Sequence, residues 1–396
     1  MSHSKRSLQP ATLLLSGAHL INDMYCGFLA PVLPLLMAKF DLSLTLAAAL
    51  ASILSIMTSL IQPVQGYISD KMNRAWFVTF GPMVTATFMS LIGLAPNYTI
   101  LIVFLVLSGI GTSSFHPQAA ALVSQTSGAK KGLSMSVFVT GGTIGVAIGP
   151  LLILGVIKLW SFNHSYITII PGLILSGFLF RYIFKLKPVE RTQSSGDLAT
   201  SKIDKNTIFF ITLLALIAIS RATTASMFNN LTPIFLTQLG FPTETAAISV
   251  SLLLTLGAFG SIAGGALSDR IGYKATMLIS HLLSTPLALG FMYFEGILKF
   301  IFLGTMAFIL FLALPVTIVL AQELVPHRSG TVASLMMGFC WGIGGLLLTP
   351  LGSLGDAIGL DKVFWGVSFV PLLGTIFLIP ILRAREPEAI VSVSSV

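Results

Sequence analysis

Twelve stretches of the chain run for about 20 residues or more with few or no charged side chains. A bilayer core offers no water to backbone N–H and C=O groups, so a segment that crosses it pairs them internally, as a helix does. The stretches are 11–38, 46–68, 75–95, 98–123, 132–158, 163–184, 207–238, 245–267, 275–294, 298–322, 329–355 and 362–382. Charged residues make up 9% of the 396 residues, and mean hydropathy is +0.93. A water-soluble domain carries charge on about a quarter of its residues, so cytosolic enzymes, disulfide scaffolds and disordered chains are excluded. A transmembrane barrel would show short alternating segments instead. An all-α membrane protein is expected.

The first stretch follows a basic leader that ends at Pro10, a favourable first-turn residue. It is too long and too polar at its centre for a cleaved signal peptide and reads as a retained helix. With the N-terminus inside, 17 of the 22 Lys and Arg residues fall on the cytoplasmic side, among them Lys71, Arg74, Lys130, Lys131, Arg270, Lys274 and Arg383. Four, Lys39, Lys158, Lys299 and Lys362, fall outside, and Arg221 lies within a span. Positive charge gathers on the inner side of membrane proteins, so both termini are expected in the cytoplasm. The net charge of +8 is thereby explained without nucleic acid, since the cations form no stripe.

Residues 185–206, KLKPVERTQSSGDLATSKIDKN, form the longest polar stretch and read as a cytoplasmic linker. It separates an N-terminal six-helix bundle, 1–184, from a C-terminal bundle with a short tail, 207–396. The halves repeat. Gly66–Lys71 (GYISDK) ends the second span and Gly265–Arg270 (GALSDR) ends the eighth, 199 positions later. Gly142, Gly145 and Pro150 of the fifth span match Gly342, Gly345 and Pro350 of the eleventh at an offset of 200. The fold class is therefore twelve transmembrane helices in two six-helix pseudo-symmetric bundles, an arrangement that secondary transporters use with a site between the halves.

GYISDKMNR (66–74) and GALSDRIGYK (265–274) resemble the cytoplasmic loop signature of the major facilitator superfamily. His19-Leu20-Ile21-Asn22-Asp23, Ser114-Phe115-His116-Pro117, Gly132-Leu133 with Gly141-Gly142 and Gly149-Pro150, and Ala321-Gln322-Glu323-Leu324 resemble its fosmidomycin-resistance subfamily of drug efflux proteins. The likeness covers nearly the whole chain. It implies the major facilitator fold and, through the fifth-helix glycines, an antiporter. The inner membrane, a monomer, and a small-molecule substrate exchanged for protons complete what it implies.

Ionisable groups at mid-membrane are costly, by at least about 2.5 to 3.5 kcal/mol, and are functional by default. Asp23 lies about 13 residues, roughly 20 Å, into the first span. It is a candidate proton carrier, the alternative being a fixed ion pair that orders two helices. His19 is one turn earlier on the same face and could relay the proton. Arg221 lies at matching depth in the seventh span. It could pair with Asp23, or hold an anionic substrate on its guanidinium fork. Asn22, His116, Gln118 and Asn229 join Arg221 as candidate cavity residues, and Pro117 should bend the helix that carries His116. Ser220, Thr223, Thr224, Ser226 and Asn230 make the seventh span polar enough to line a cavity.

Gly141, Gly145 and Gly149 form a small-residue stripe, ending at Pro150, that points to tight packing between the halves. Gly66, Asp70, Lys71, Arg74, Asp269, Arg270 and Glu323 lie at the cytoplasmic rim as candidate gating residues, together with Gly145, Gly149 and Pro150. Cys26 and Cys340 fit no metal or disulfide spacing and read as core residues. No phosphate-binding loop or H-E-x-x-H helix is present, so neither an enzyme nor a cofactor or metal is expected. The function read from the residues and the resemblance is proton-coupled efflux of a small drug-like or anionic compound, such as fosmidomycin. A proton-coupled uptake symporter and a non-transporting sensor of the same fold are the alternatives.

Overall fold

The computed structural model describes residues 9–62, 64, 65, 68, 74–126, 131–183, 204–325, 332 and 335–383. Among them eleven helices are long and apolar enough to cross a membrane, and one further apolar helix, Leu44–Leu60, is shorter. In chain order they are α1 (Pro10–Phe40), α2 (Leu44–Leu60), α3 (Ala75–Leu94), α4 (Tyr98–Thr126), α5 (Lys131–Leu159) and α6 (Phe162–Ile183). There follow α7 (Lys205–Gln238), α8 (Thr243–Ile271), α9 (Tyr273–Tyr293), α10 (Gly296–Leu324), α11 (Leu335–Ile358) and α12 (Leu360–Arg383). Gly66, Asp70, Lys71 and linker residues 185–203 lie outside the described residues, as does the side chain of Arg74. The start of α7 departs from the expected boundary. Asp204 accepts from Thr207 N at 2.6 Å, and this cap begins the helix at Lys205, two residues inside the expected linker. Those backbone N–H groups hold the exposed Asp204 carboxyl below the ordinary carboxylate range.

Local chemistry shapes the helices that carry the mid-membrane groups. α1 is two pieces, Pro10–Cys26 and Leu29–Phe40. Pro31 has no N–H to offer the Gly27 carbonyl, and a Cβ at Gly27 would collide with the Val146 carbonyl of α5. α4 instead runs without interruption through Pro117. The glycine stripe of α5 faces α1: a Cβ at Gly141, Gly145 or Gly149 would strike the carbonyl oxygens of Ser16, Leu20 and Met24 respectively. Three glycines four residues apart thus meet three carbonyls four residues apart. This corrects the expectation that the stripe packs the halves together, because both helices belong to the same half. Gly145, Gly149 and Pro150 sit in that α1–α5 contact.

The seam between α1–α6 and α7–α12 is built elsewhere, with α2 lying along α11 and α5 along α8. In α11, Gly342 packs on Leu60 and Gly345 on Ser55, both from α2. Ser52 of α2 donates to Gly345 O at 2.8 Å and accepts from Thr349 N at 3.1 Å. The Asp356 carboxylate of α11 accepts from Leu44 N and Thr45 N, each at 2.8 Å, and so caps α2 from across the seam.

The hydrophobic cores show how far that seam extends. At the end away from Pro10 and Arg383, one core joins both halves, from Leu33, Leu44 and Leu101 to Phe228, Phe291 and Phe364. At the end that holds Pro10 and Arg383 the halves have separate cores among the described residues. One includes Leu15, Val78, Val123 and Leu179, and the other Leu214, Met277, Ala321 and Leu378. Large apolar side chains such as Phe178, Phe259, Ile262 and Ile376 point outward, as a lipid-facing surface requires.

Candidate functional site

Three ionisable side chains meet near the middle of α1 and α4. Asp23 places Oδ2 3.1 Å from His19 Nε2 and Oδ1 2.7 Å from His116 Nε2. Asn22, fully buried, donates from Nδ2 to Asp23 Oδ1 at 2.9 Å. His19 comes from the preceding turn of α1, so the pair needs only helical spacing. His116 comes from α4. Gly142 of α5 closes the third side, because a Cβ there would lie 2.8 Å from Asp23 Oδ2 and against the His19 ring. His19 also stacks on Phe138 of α5, ring centroids 4.2 Å apart, and meets the His116 ring edge-on at 4.9 Å.

The partners of each ring fix where its hydrogens sit. His19 Nδ1 lies 2.7 Å from the Phe138 carbonyl oxygen, which can only accept, so Nδ1 carries a hydrogen. A neutral His19 would then turn a bare Nε2 toward the carboxylate. A contact of 3.1 Å between two acceptors is repulsive, and it becomes attractive when one more proton lies between Nε2 and Oδ2. It makes either an imidazolium–carboxylate pair or an imidazole–carboxylic acid pair, and both have zero net charge. His116 reads differently. Its Nδ1 lies 3.4 Å from the Gln62 amide nitrogen, and its Nε2 lies 2.7 Å from Asp23 Oδ1 and 3.4 Å from the Asn22 amide nitrogen.

With a neutral His116, the cluster has zero net charge while it holds the shared proton and one buried negative charge without it. The side chain of His116 is 24% exposed, against 11% for His19 and 12% for Asp23, so His116 is the face nearest solvent. The three ligand atoms lie within 4.8 Å of one another, a donor set of the kind divalent transition metals use. Both carboxylate oxygens, however, are already engaged by imidazole nitrogens at hydrogen-bond distance.

Arg221 in α7 has a contrasting environment. It is 1% exposed, and no hydrogen bond or ion pair reaches it among the described residues. The Phe311 and Trp341 rings lie 5.6 and 5.4 Å from its guanidinium carbon. Cation–π contact returns about 2 kcal/mol when desolvated, against a burial cost of several kcal/mol for an ion. The expected Asp23–Arg221 pair is not formed, since the histidines occupy both oxygens of Asp23. The neighbouring hydroxyls are also turned away from any shared space: Ser220, Thr223 and Thr224 bond to carbonyls one turn back on α7. Back-bonding satisfies a buried hydroxyl without a partner helix.

The sequence matches the family model described as Major Facilitator Superfamily over residues 15–349. The chain belongs to the major facilitator superfamily. Among its relatives is the Fosmidomycin resistance protein of Escherichia coli (strain K12), 30% identical over 92% of this chain and 91% of that one. The uncharacterized MFS-type transporter YfnC of Bacillus subtilis (strain 168) is 28% identical over 94% and 93%. The fold is similar to that of a bacterial homologue of the human lysosomal transporter Spinster, TM-score 0.77, at 15% identity over 94% of this chain and 96% of that one. It is also similar to a D-xylose–proton symporter, TM-score 0.76, at 14% identity over 93% and 96%. The protein is thus a multi-pass membrane transporter of this superfamily.

On this superfamily fold His19, Asn22, Asp23 and His116 come together, while Arg221 stands apart from them. Gln118 is buried in α4, two residues beyond His116. Asn229 in α7 has a buried Oδ1 without a hydrogen-bond partner. Asp269 and Arg270 are exposed at the end of α8, and Glu323 accepts from the Tyr273 hydroxyl at 2.8 Å. Cys26 and Cys340 are free thiols, bonded to Thr112 and to the Ala215 carbonyl. His281 sits between the Met277 and Ile217 carbonyls. Sequence reasoning missed Gln62, Phe138 and Gly142 as parts of the cluster. Gln62 carried a weak signal, as an amide side chain near the end of an otherwise apolar span.

Proposed function

We propose that this protein is a proton-driven exporter that works by alternating access, exchanging protons for a small drug-like or anionic compound such as fosmidomycin. The observation that carries the reading is the 3.1 Å contact between His19 Nε2 and Asp23 Oδ2, which is attractive only with a proton between them. Loaded, the cluster is neutral and its contacts are attractive. Unloaded, a bare imidazole nitrogen faces a carboxylate in a buried site, and the contact that joins these side chains becomes repulsive. Loss of the proton therefore sets two side chains of α1 against each other, His19 held to α5 through the Phe138 carbonyl and Asp23 held to α4 through His116, so either must shift its interhelical contact, and recapture restores the arrangement. His116, the most open of the three, is where protons enter and leave.

The cores support the conformational half of the cycle. Two six-helix units, 1–184 and 207–396, joined by the linker 185–206, rock about the seam of α2, α5, α8 and α11. The distribution of Lys and Arg supports an inner-membrane protein with both termini in the cytoplasm, so the end with separate cores is the cytoplasmic one. Gly66, Asp70, Lys71, Arg74, Asp269, Arg270 and Glu323 would then form the rim that closes when the halves rock, with the protein acting as a monomer. The relative named for fosmidomycin resistance supports the substrate class and the direction of transport.

Proteoliposomes test the reading without regard to insertion orientation, because exchange is reversible. Fosmidomycin supplied outside accumulates when the lumen is acidic and the exterior neutral. Accumulation driven by an acidic exterior instead would establish symport and overturn the exporter. No accumulation under either gradient would overturn fosmidomycin transport.

A further inference from the structure

Among the described residues, the membrane interior holds one acid and one unpartnered cation. In α2–α12 every Asp and Glu lies at a helix end: Glu244, Asp269, Glu323, Asp356 and Asp361. The remaining interior acid is Asp23, and its oxygens are engaged by His19, His116 and Asn22. Arg221 consequently has no carboxylate to meet in its own half. Lys299, the other buried cation among the described residues, shows what a structural cation looks like in this fold. It is 4% exposed, and its Nζ donates to the Phe291 carbonyl at 2.7 Å near the end of α9, where the helix dipole favours positive charge. Arg221 is mid-helix and has no such acceptor. Its Nε and Nη1 are fully enclosed and unbonded.

A guanidinium keeps its charge at any physiological pH, so loss of a proton cannot relieve this burial. Phe311 and Trp341 place π density near the cation but offer no oxygen to its N–H groups. Cys340 and His281 lie within electrostatic reach of Arg221, and the Cys340 thiol and both His281 nitrogens already face carbonyls. What the site lacks is one negative charge with two acceptor oxygens in a plane, the pattern that an Arg fork binds bidentately.

We propose that Arg221 is the seat of an oxyanion, a phosphonate or carboxylate group of the transported molecule, with Phe311 and Trp341 as its aromatic walls. The assignment rests on the transport reading above and narrows it to anionic substrates. Arg221 and the proton cluster then divide the work, one half of the protein holding the cargo's charge and the other the exchanged proton. Occupied, the interior has no uncompensated cation, which favours the occluded form of the loaded carrier.

Calorimetric titration of the detergent-purified full-length protein tests this without a gradient, so its outcome is independent of the exporter reading. Methylphosphonate is the probe, and its neutral dimethyl ester and chloride are the controls. Methylphosphonate is expected to bind saturably and the ester and chloride not to bind. Arg221→Lys, which keeps the charge but loses the fork, is expected to weaken binding at least tenfold. Arg221→Met is expected to abolish binding while melting no lower than the native protein. Unchanged methylphosphonate binding in Arg221→Met would overturn the proposal, and so would failure of the native protein to bind it. A lower melting temperature in Arg221→Met, with Arg221→Lys binding normally, would make Arg221 a structural cation and overturn it equally.

Discussion

Asp23 in α1 and Arg221 in α7 stand at similar depths in the first and seventh of twelve helices, yet their surroundings differ in kind. Around Asp23, His19, Asn22 and His116 all come within 3.1 Å. Around Arg221 two aromatic rings approach, and among the described residues no acceptor bonds its Nε or Nη1. A satisfied buried network is stable in one protonation state and strained in the other, which suits a group that must switch. A fixed charge without a counterion suits a group whose counterion arrives and departs. The two positions match in depth, and the chemistry of their neighbours separates them.

That contrast gives opposite signs to two apolar substitutions. Asp23→Leu removes the acceptor of two imidazoles and an amide, and is expected to lower stability by about 3 kcal/mol, the cost of breaking a buried pair. Arg221→Met removes an unpaired charge and fills the same space, and is expected to raise stability by roughly 1 kcal/mol. Thermal unfolding in detergent, with both variants run beside the native protein, checks the signs. Two destabilised variants would show that Arg221 is satisfied after all and would remove the difference between the halves.

A smaller effect comes from the α5 side. Gly142→Ala would place a methyl 2.8 Å from Asp23 Oδ2 and against the His19 ring, so the cluster must open. Gly177→Ala in α6, with nothing within 4 Å of its Cβ, is the matched control. Proton-driven transport is expected to fall about tenfold in the first, equivalent to roughly 1.4 kcal/mol of lost coupling, and to be unchanged in the second. Equal rates would mean that the His19–Asp23 contact does not matter to the cycle.

Much of this contrast was legible in the sequence, and the missing part has a physical cause. Span length and the scarcity of charge identify the helices, because backbone satisfaction in lipid depends on little else. Helical spacing puts His19 and Asp23 on one face, and depth singles out Asp23 and Arg221. Which partners these groups meet depends on how each helix is rotated about its axis, and that is set by packing. His116 lies 93 residues from Asp23, and Asp356 lies 312 residues from the Leu44 N–H it caps. A glycine stripe likewise shows that some helix comes close without naming it. The stripe of α5 met α1, while the seam between the halves uses the glycines of α11. An Asp23–Arg221 pair is one of two readings that matching depth allows, and depth carries no information about azimuth.

The central claim is that the His19–Asp23 contact holds a proton that is exchanged for substrate. Its most direct test is substrate-induced proton release, measured with a pH-sensitive dye in weakly buffered, detergent-purified protein on addition of fosmidomycin. Release of a proton by the native protein and none by a folded Asp23→Asn variant is the predicted result. Equal release from both would contradict the claim and place the exchanged proton elsewhere in the molecule.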